Sequence, residues 1–338
     1  MQISPPSSTV RQEAADRLDG LAKPVGSLGR LEELAAWLCA CRNSCPPGRL
    51  DRIRAVVLAG DHGVAASGVS AYPAEVTAAM VRAFVSGTAA ASVLARQHRV
   101  DLQVYDLGVA AELDDLDVQV TRHRVRPARS IDVEDALTEE EAAAAFDAGV
   151  AIAEETLAGD TEMIIVGDLG IGNTTPAAAL VAAALGLPGN AVAGRGTGID
   201  EAGLRRKTAV IDAALDRVGD RAADPWQRLR CLGSADLVAG VALMITAARS
   251  GVPILLDGLI SVAEAITADE LAPGVINWCA AGHRSTEPAQ QLVLQKYGLE
   301  PLLDLSMRVG EGSGALAAVP LIRSAASLII EMALLQDL

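Results

Sequence analysis

The sequence predicts an α/β fold in which a parallel sheet carries helices on both faces, with a small helical domain assembled from the two ends of the chain. Three observations predict it. Four short apolar runs, rich in β-branched residues, each end on an acid. Long alanine-rich stretches of helical character separate most of them. Helix-period apolar patterns occupy both termini. Near-continuous apolar strands alternating with helices are the pattern of a parallel sheet buried on both sides.

Residues 10–45 read as helical, because Leu28, Leu31, Leu34, Ala35 and Leu38 recur at helix spacing with Glu32 and Glu33 between them. Pro46, Pro47 and Gly48 end that segment. The strand-like runs are Ala55–Asp61, Leu102–Asp106, Met163–Asp168 and Val252–Asp257. Helical stretches include Glu139–Ala158, Pro176–Leu185 and Leu232–Ala248. The final stretch, Ala315–Leu338, is helical and apolar, and is expected to pair with residues 10–45. The expected division is a small helical domain from residues 1–48 with 315–338, and a large α/β substrate-binding domain from residues 49–314. A chain of 338 residues, 51 % of them apolar, can build such a core. Only 2 % are aromatic, and the small side chains suit close helix–sheet packing.

Composition excludes several function classes. The net charge is -15, and no basic run offers the face that phosphate contacts require, so nucleic-acid binding is not expected. Met1–Thr9 has neither a basic nor an apolar leader region. The longest apolar stretch, Leu237–Leu256, is interrupted by Arg249, Ser250, Gly251 and Pro253, which argues against a membrane span. A soluble, cytoplasmic protein is expected. Cys39, Cys41 and Cys45 lie close together without a second Cys/His cluster, so neither a disulfide framework nor a zinc site is expected.

Asp61, Asp106, Asp168 and Asp257 fall at the carboxyl ends of the expected strands, the rim where open α/β sheets bind ligands. Any one alone reads as a helix cap. Four on one rim suggest a site, with some of them still caps. Four glycine-rich segments, Gly167–Thr175, Gly194–Asp200, Gly282–Glu287 and Gly310–Gly314, expose backbone N–H groups suited to phosphate or carboxylate, or are simply tight turns. None has the spacing of a dinucleotide or P-loop fingerprint, and no Gly-x-Ser-x-Gly elbow exists. His62, after Asp61, either orients a ligand or bonds a backbone carbonyl; the second is the expectation. Glu311 stands between two glycines before an apolar helix. It suits a helix N-terminus and a general base equally, and spacing does not choose.

Taken together, these segments resemble the nicotinate-nucleotide–dimethylbenzimidazole phosphoribosyltransferase family of cobalamin biosynthesis. The resemblance runs from Lys23–Glu32 through Ala59–Val64, Gly68–Thr77, Gly167–Thr175 and Gly194–Asp200 to Met307–Ala315 and the last helix. It implies a Rossmann-like large domain, a small helical domain from both termini, and a homodimer. It implies transfer of ribose 5-phosphate from nicotinate mononucleotide to 5,6-dimethylbenzimidazole, giving α-ribazole 5′-phosphate and nicotinate. No cofactor and no metal are implied, because nicotinate leaves as an already cationic pyridinium and no pyrophosphate departs. By resemblance Glu311 is the catalytic glutamate that takes the imidazole proton. Gly170, Gly196, Lys207 and Ser285 match the residues for the ribose phosphate, Asp168 the substrate-binding acid, and Ser70 and Tyr72 the base pocket.

The chain also departs from the family's pattern. Asp168 stands where Glu is frequent, one methylene shorter. Ala79 replaces a frequent Gln, Ala83 a frequent Asn, and Val309, beside the base, a frequent Leu. These changes leave open an alternative in which a different base (adenine, another benzimidazole or a phenol) is used. A second alternative is a nucleotide-binding protein without turnover.

Overall fold

Five segments that can bury both faces form one sheet: β1 Ile53–Gly60, β2 Asp101–Gly108, β3 Met163–Leu169, β4 Ile254–Leu256 and β5 Cys279–Ala281. This is a computed structural model describing residues 2–338; Met1, first residue of the expected helical domain, lies outside the described residues. The strand order is β2-β1-β3-β4-β5 and every pairing is parallel. From β1 the chain moves outward to β2, then returns to β3 on the other side of β1. The order therefore reverses between β1 and β3, and the crevice beyond their carboxyl ends is where a ligand is expected.

Side chains alternate between two cores, as the period of a strand requires. Val56, Leu58, Ile164 and Val166 join one cluster, packed beneath helices Glu139–Leu157, Thr174–Leu185, Ala235–Arg249 and Leu259–Leu271. Ala55, Val57, Ala59 and Ile165 join the other, beneath Val76–Val85, Ala90–Gln97 and Ser313–Glu331. The expected doubly covered parallel sheet is present, with one strand more than the sequence revealed. β5 is only Cys-Ala-Ala, too short and too poor in β-branched residues to stand out.

Two expected helices are broken. Residues 10–45 form Ser8–Asp19 and Arg30–Arg42, because Gly26 and Gly29 take positive φ in the turn between them. Leu232–Ala248 is divided between Pro225–Leu232 and Ala235–Arg249, since Gly233 leaves the helical region and Ser234 is extended. Helices from the two ends pack together: Leu21 bridges Leu334, and Arg17 Nε donates to the Ile329 carbonyl at 2.9 Å. Their core is continuous with the sheet's, for Leu18, Leu38, Ile165 and Ile322 belong to one cluster. Burial of Leu316, Val319, Ile322 and Ile329 accounts for the apolar composition of Ser313–Glu331.

Close helix packing explains the wealth of small residues. A Cβ on Gly149 would overlap the Ala239 carbonyl oxygen and lie 2.7 Å from the Ala239 Cα. Helix propensity favours alanine over glycine by about 1 kcal/mol, but overpacking against rigid backbone costs about 1–3 kcal/mol. Gly149→Ala is therefore expected to lower the melting temperature by calorimetry. A raised value would show that these two helices part without cost.

Candidate active site

The site is built around a turn the sequence left ambiguous. Gly310, Glu311 and Gly312 all adopt positive φ, of 77°, 63° and 80°. For glutamate the left-handed conformation costs about 1–2 kcal/mol, so neighbouring contacts must hold it. Asp257, at the end of β4, supplies them. Its Oδ2 accepts the Gly312 N–H at 3.2 Å, and its Oδ1 accepts those of Gly314 and Ala315 at 2.8 and 3.0 Å. It thus caps helix Ser313–Glu331 from across the molecule. His283 Nε2 stands 3.4 Å from the same Oδ1. Burial pushes the Asp257 carboxyl up, but His283 and the backbone N–H groups outweigh it and hold it below the usual range. On the other side the turn lies flat on β3: a Cβ on Gly167 would come 2.7 Å from the carbonyl carbon and oxygen of Glu311.

Glu311 itself is 9 % exposed, and its Oε2 is buried without a hydrogen-bond partner among the described residues. Burial, then the negative charge of Asp257, raises its carboxyl to about 7. A carboxyl with a pKa near ambient pH has the value that suits a general base.

Glu311 opens into a cleft that brings together several of the residues the sequence singled out. Asp168, Gly196, Ser285 and Val309 line it with Glu311. Lys207 lies beneath, fully buried, with its Nζ donating to Thr174 Oγ1 at 2.8 Å and the Gly194 carbonyl at 3.1 Å. Burial lowers its pKa, and Glu287, 4.0 Å away, opposes that shift. Gly170 sits behind the cleft, its Cα pressed on the Gly60 carbonyl and the His62 ring. Ser70 reaches the cleft only through Thr197: the two hydroxyls are 3.1 Å apart, and Thr197 Oγ1 accepts the Ala71 N–H at 2.9 Å. Tyr72 is 56 % exposed and does not line the cleft; neither do Ala79 and Ala83, on helix Val76–Val85.

Of the four rim acids, three bond backbone. Asp61 accepts the Ala110 N–H, Asp106 that of Val109, and Asp257 the helix end described above. Asp168 instead joins a buried group with His62, Asp236 and Glu264. The His62 ring is not directed at a backbone carbonyl; its Nε2 lies 3.3 Å from Asp236 Oδ2. Sequence reasoning missed Asp236, Glu264, Glu287 and Thr197. An acid within the mostly apolar first two turns of helix Leu259–Leu271 was a usable signal for Glu264. By distance alone His62, Asp168 and Asp236, whose ligand atoms lie within 4.8 Å of one another, could surround a cation.

Comparison with known proteins fits this geometry. A phosphoribosyltransferase family model matches residues 3–337. The chain belongs to this phosphoribosyltransferase family. It is 48 % identical over 332 residues to the nicotinate-nucleotide–dimethylbenzimidazole phosphoribosyltransferase of Mycolicibacterium paratuberculosis, covering 98 % of this chain and 95 % of that one. The protein of the same name from Mycobacterium tuberculosis is 47 % identical, over 98 % and 91 %. The crystal structure of CobT from Thermus thermophilus superposes with a TM-score of 0.93 at 42 % identity, covering 97 % of this chain and 98 % of that one.

In this phosphoribosyltransferase the Glu311 turn has no room to shift on β3. Gly167→Ala is expected to lower turnover at least about 100-fold, the scale of a 1 Å displacement of a reacting group, with far-ultraviolet dichroism unchanged. Normal turnover would show that the turn accommodates a Cβ beneath it.

Proposed function

We propose that the protein transfers ribose 5-phosphate from nicotinate mononucleotide to 5,6-dimethylbenzimidazole, yielding α-ribazole 5′-phosphate and nicotinate. The observation that carries this reading is the Glu311 carboxylate, buried, unpaired and raised to about 7 at the cleft. The incoming imidazole attacks C1′ through one nitrogen and must lose the proton on the other. A carboxylate within hydrogen-bond reach of that N–H is what the step requires. Nicotinate departs as a neutral ring nitrogen from a cationic pyridinium, so the departure needs no acid. Attack opposite the leaving group inverts C1′. Lys207, Thr174, Ser285 and the Gly196 loop are the groups for the 5′-phosphate, and Asp168 lies on the ribose side. The names of the relatives at up to 48 % identity support the same substrates. A cytoplasmic homodimer, implied by the resemblance, completes the reading; light scattering of purified protein should give twice the mass of one chain.

The choice of base carries a second reading. Val309 is 54 % exposed at the cleft mouth, so this wall of the cleft leaves room for bases of different shape. In a mixed-base competition read by mass spectrometry, dimethylbenzimidazole is expected to lead, with other benzimidazoles converted more slowly. A lead by adenine or a phenol would replace the acceptor in the reaction above.

Glu311→Gln is expected to lose about 100- to 10,000-fold in kcat, the range for removing a general base, while still binding nicotinate mononucleotide in calorimetry. Wild-type turnover should rise with pH and level off above about 7, because only the ionised carboxyl accepts the proton. Unaltered turnover in the variant would remove Glu311 from this role.

Stability should move in the opposite direction. The folded-state value near 7 lies above the ordinary 4.5, so the folded chain binds the proton more tightly than the unfolded one. About 3 kcal/mol of stability is thus present below pH 4.5 and lost as pH rises through 7, at about 1.4 kcal/mol per unit. Glu311→Gln should melt at higher temperature than wild type at pH 8 and equally at pH 4. Equal melting at both would place the carboxyl in contact with water.

A further inference from the structure

Beneath the cleft, where the strand order reverses, Asp168, Asp236 and His62 lie together closed to solvent, and Glu264 is near enough for its charge to be felt by Asp168. Asp168, Asp236, Glu264 and His62 are each at least 96 % buried (4, 1, 1 and 3 % exposed). Three glycines make the space. A Cβ on Gly60 would lie 2.7 Å from Asp236 Oδ1, one on Gly170 2.7 Å from His62 Nε2, and one on Gly240 would overlap Glu264. Both Asp236 oxygens, both His62 nitrogens, both Glu264 oxygens and Asp168 Oδ2 lack hydrogen-bond partners among the described residues. Orphaned buried polar atoms on this scale need an explanation. Only Asp168 reaches the cleft wall.

Charge and geometry together restrict the protons. His62 can balance one carboxylate, and it stands against Asp236. Two further ionised carboxyls would repel that one with no water to screen them. A proton on Asp168 Oδ2 removes one charge and satisfies an orphan, because it can be donated to Asp236, whose carboxyl is within hydrogen-bond reach. Asp168 Oδ1 accepts the Asn173 amide N–H at 2.7 Å and has a second lone pair, and Asp168 is part of the cleft wall.

We propose that His62, Asp236 and Glu264 are positioning residues that hold Asp168 as an uncharged carboxyl, which donates inward to Asp236 and accepts a ribose hydroxyl of the substrate on its other oxygen. The part concerning ribose rests on the function proposed above. Burial, then the charges of Asp236 and Glu264, pushes the Asp168 carboxyl well above its ordinary range, and burial and Asp236 do the same to Glu264. An uncharged Asp168 has a clear use. The cleft already holds Asp257, Glu287 and Glu311, and the nucleotide that enters carries a phosphate and a carboxylate. A fourth negative charge would oppose its binding, whereas a neutral acceptor orients the ribose without repulsion.

Two measurements on purified full-length protein test this. Infrared spectroscopy at neutral pH should show the carbonyl stretch of protonated carboxyls, with one component lost in Asp168→Asn and another in Glu264→Gln. In kinetics, asparagine keeps both the inward donor and the outward acceptor. Asp168→Asn should therefore lose only about 5-fold in kcat/KM against about 100-fold for Asp168→Ala, read as losses of transition-state stabilisation. Asp236→Asn should act mainly through KM for the nucleotide, and its effect should not add to that of Asp168→Asn in the double variant, because the two touch. If Asp236→Asn fails to fold, the infrared spectra and the Asp168 pair still decide. Three results would overturn the proposal: no infrared component lost with Asp168→Asn, equal damage from Asp168→Asn and Asp168→Ala, or one divalent ion per chain in the purified protein. Protonated carboxyls in a protein that does not convert nicotinate mononucleotide would refute the proposed function and leave the network standing.

Discussion

The carboxylate of Asp257 is the constraint on which the site depends. It accepts N–H groups from Gly312, Gly314 and Ala315, and so fastens the start of helix Ser313–Glu331 to the end of β4. The first N–H groups of a helix have no partners within it, and a buried helix end without acceptors would be costly. Asp257 meets that need with a charge that the helix dipole favours. The same bonds set the path of the three preceding residues. Glu311 takes a left-handed conformation because both its flanks are already fixed, by Asp257 above and Gly167 below.

A second balance follows from the first. A carboxylate kept ionised at Asp257 makes a second charge at Glu311 harder to sustain, and burial adds to the effect. One acid is therefore anchored and anionic, while its neighbour sits near neutrality and is free to exchange a proton. The division of labour comes from environment alone, for both are carboxyl groups. Asp257 has N–H donors and His283 against it, whereas Glu311 Oε2 has no partner among the described residues. The deeper group around Asp236 repeats the arrangement, with the His62 ring against its carboxyl at 3.3 Å.

Much of the fold was legible because its signals are local. Four of the five strands stand out as short runs that end on an acid, and the long helices repeat at their own period. β5 was invisible, since three small residues pair only because β4 lies beside them. The helix breaks at Gly233 and between Asp19 and Arg30 were visible as glycines but not as turns, for glycine also occurs within helices, as Gly149 and Gly240 show. The site was legible in part. Glu311, Asp168, Gly196, Ser285 and Val309 lie in contiguous motifs and meet at the cleft. Asp236, Glu264 and Glu287 come from helices and turns whose convergence is purely tertiary. Asp61, Asp106 and Asp257 looked alike in sequence, and only the backbone around them reveals which N–H groups they hold.

The pairing of the Glu311 turn with Gly167 and Asp257 also bears on how the molecule is made. Its base is supplied by the last tenth of the chain and seated on strands laid down much earlier. Contacts of such sequence separation form late in folding, after local structure has collapsed. A chain still emerging from synthesis can pair β1, β2 and β3 long before it has Glu311 to seat on them. The exposed stretch Asp304–Ser306 is only its covalent tether; what seats it on the sheet is Asp257 and Gly167.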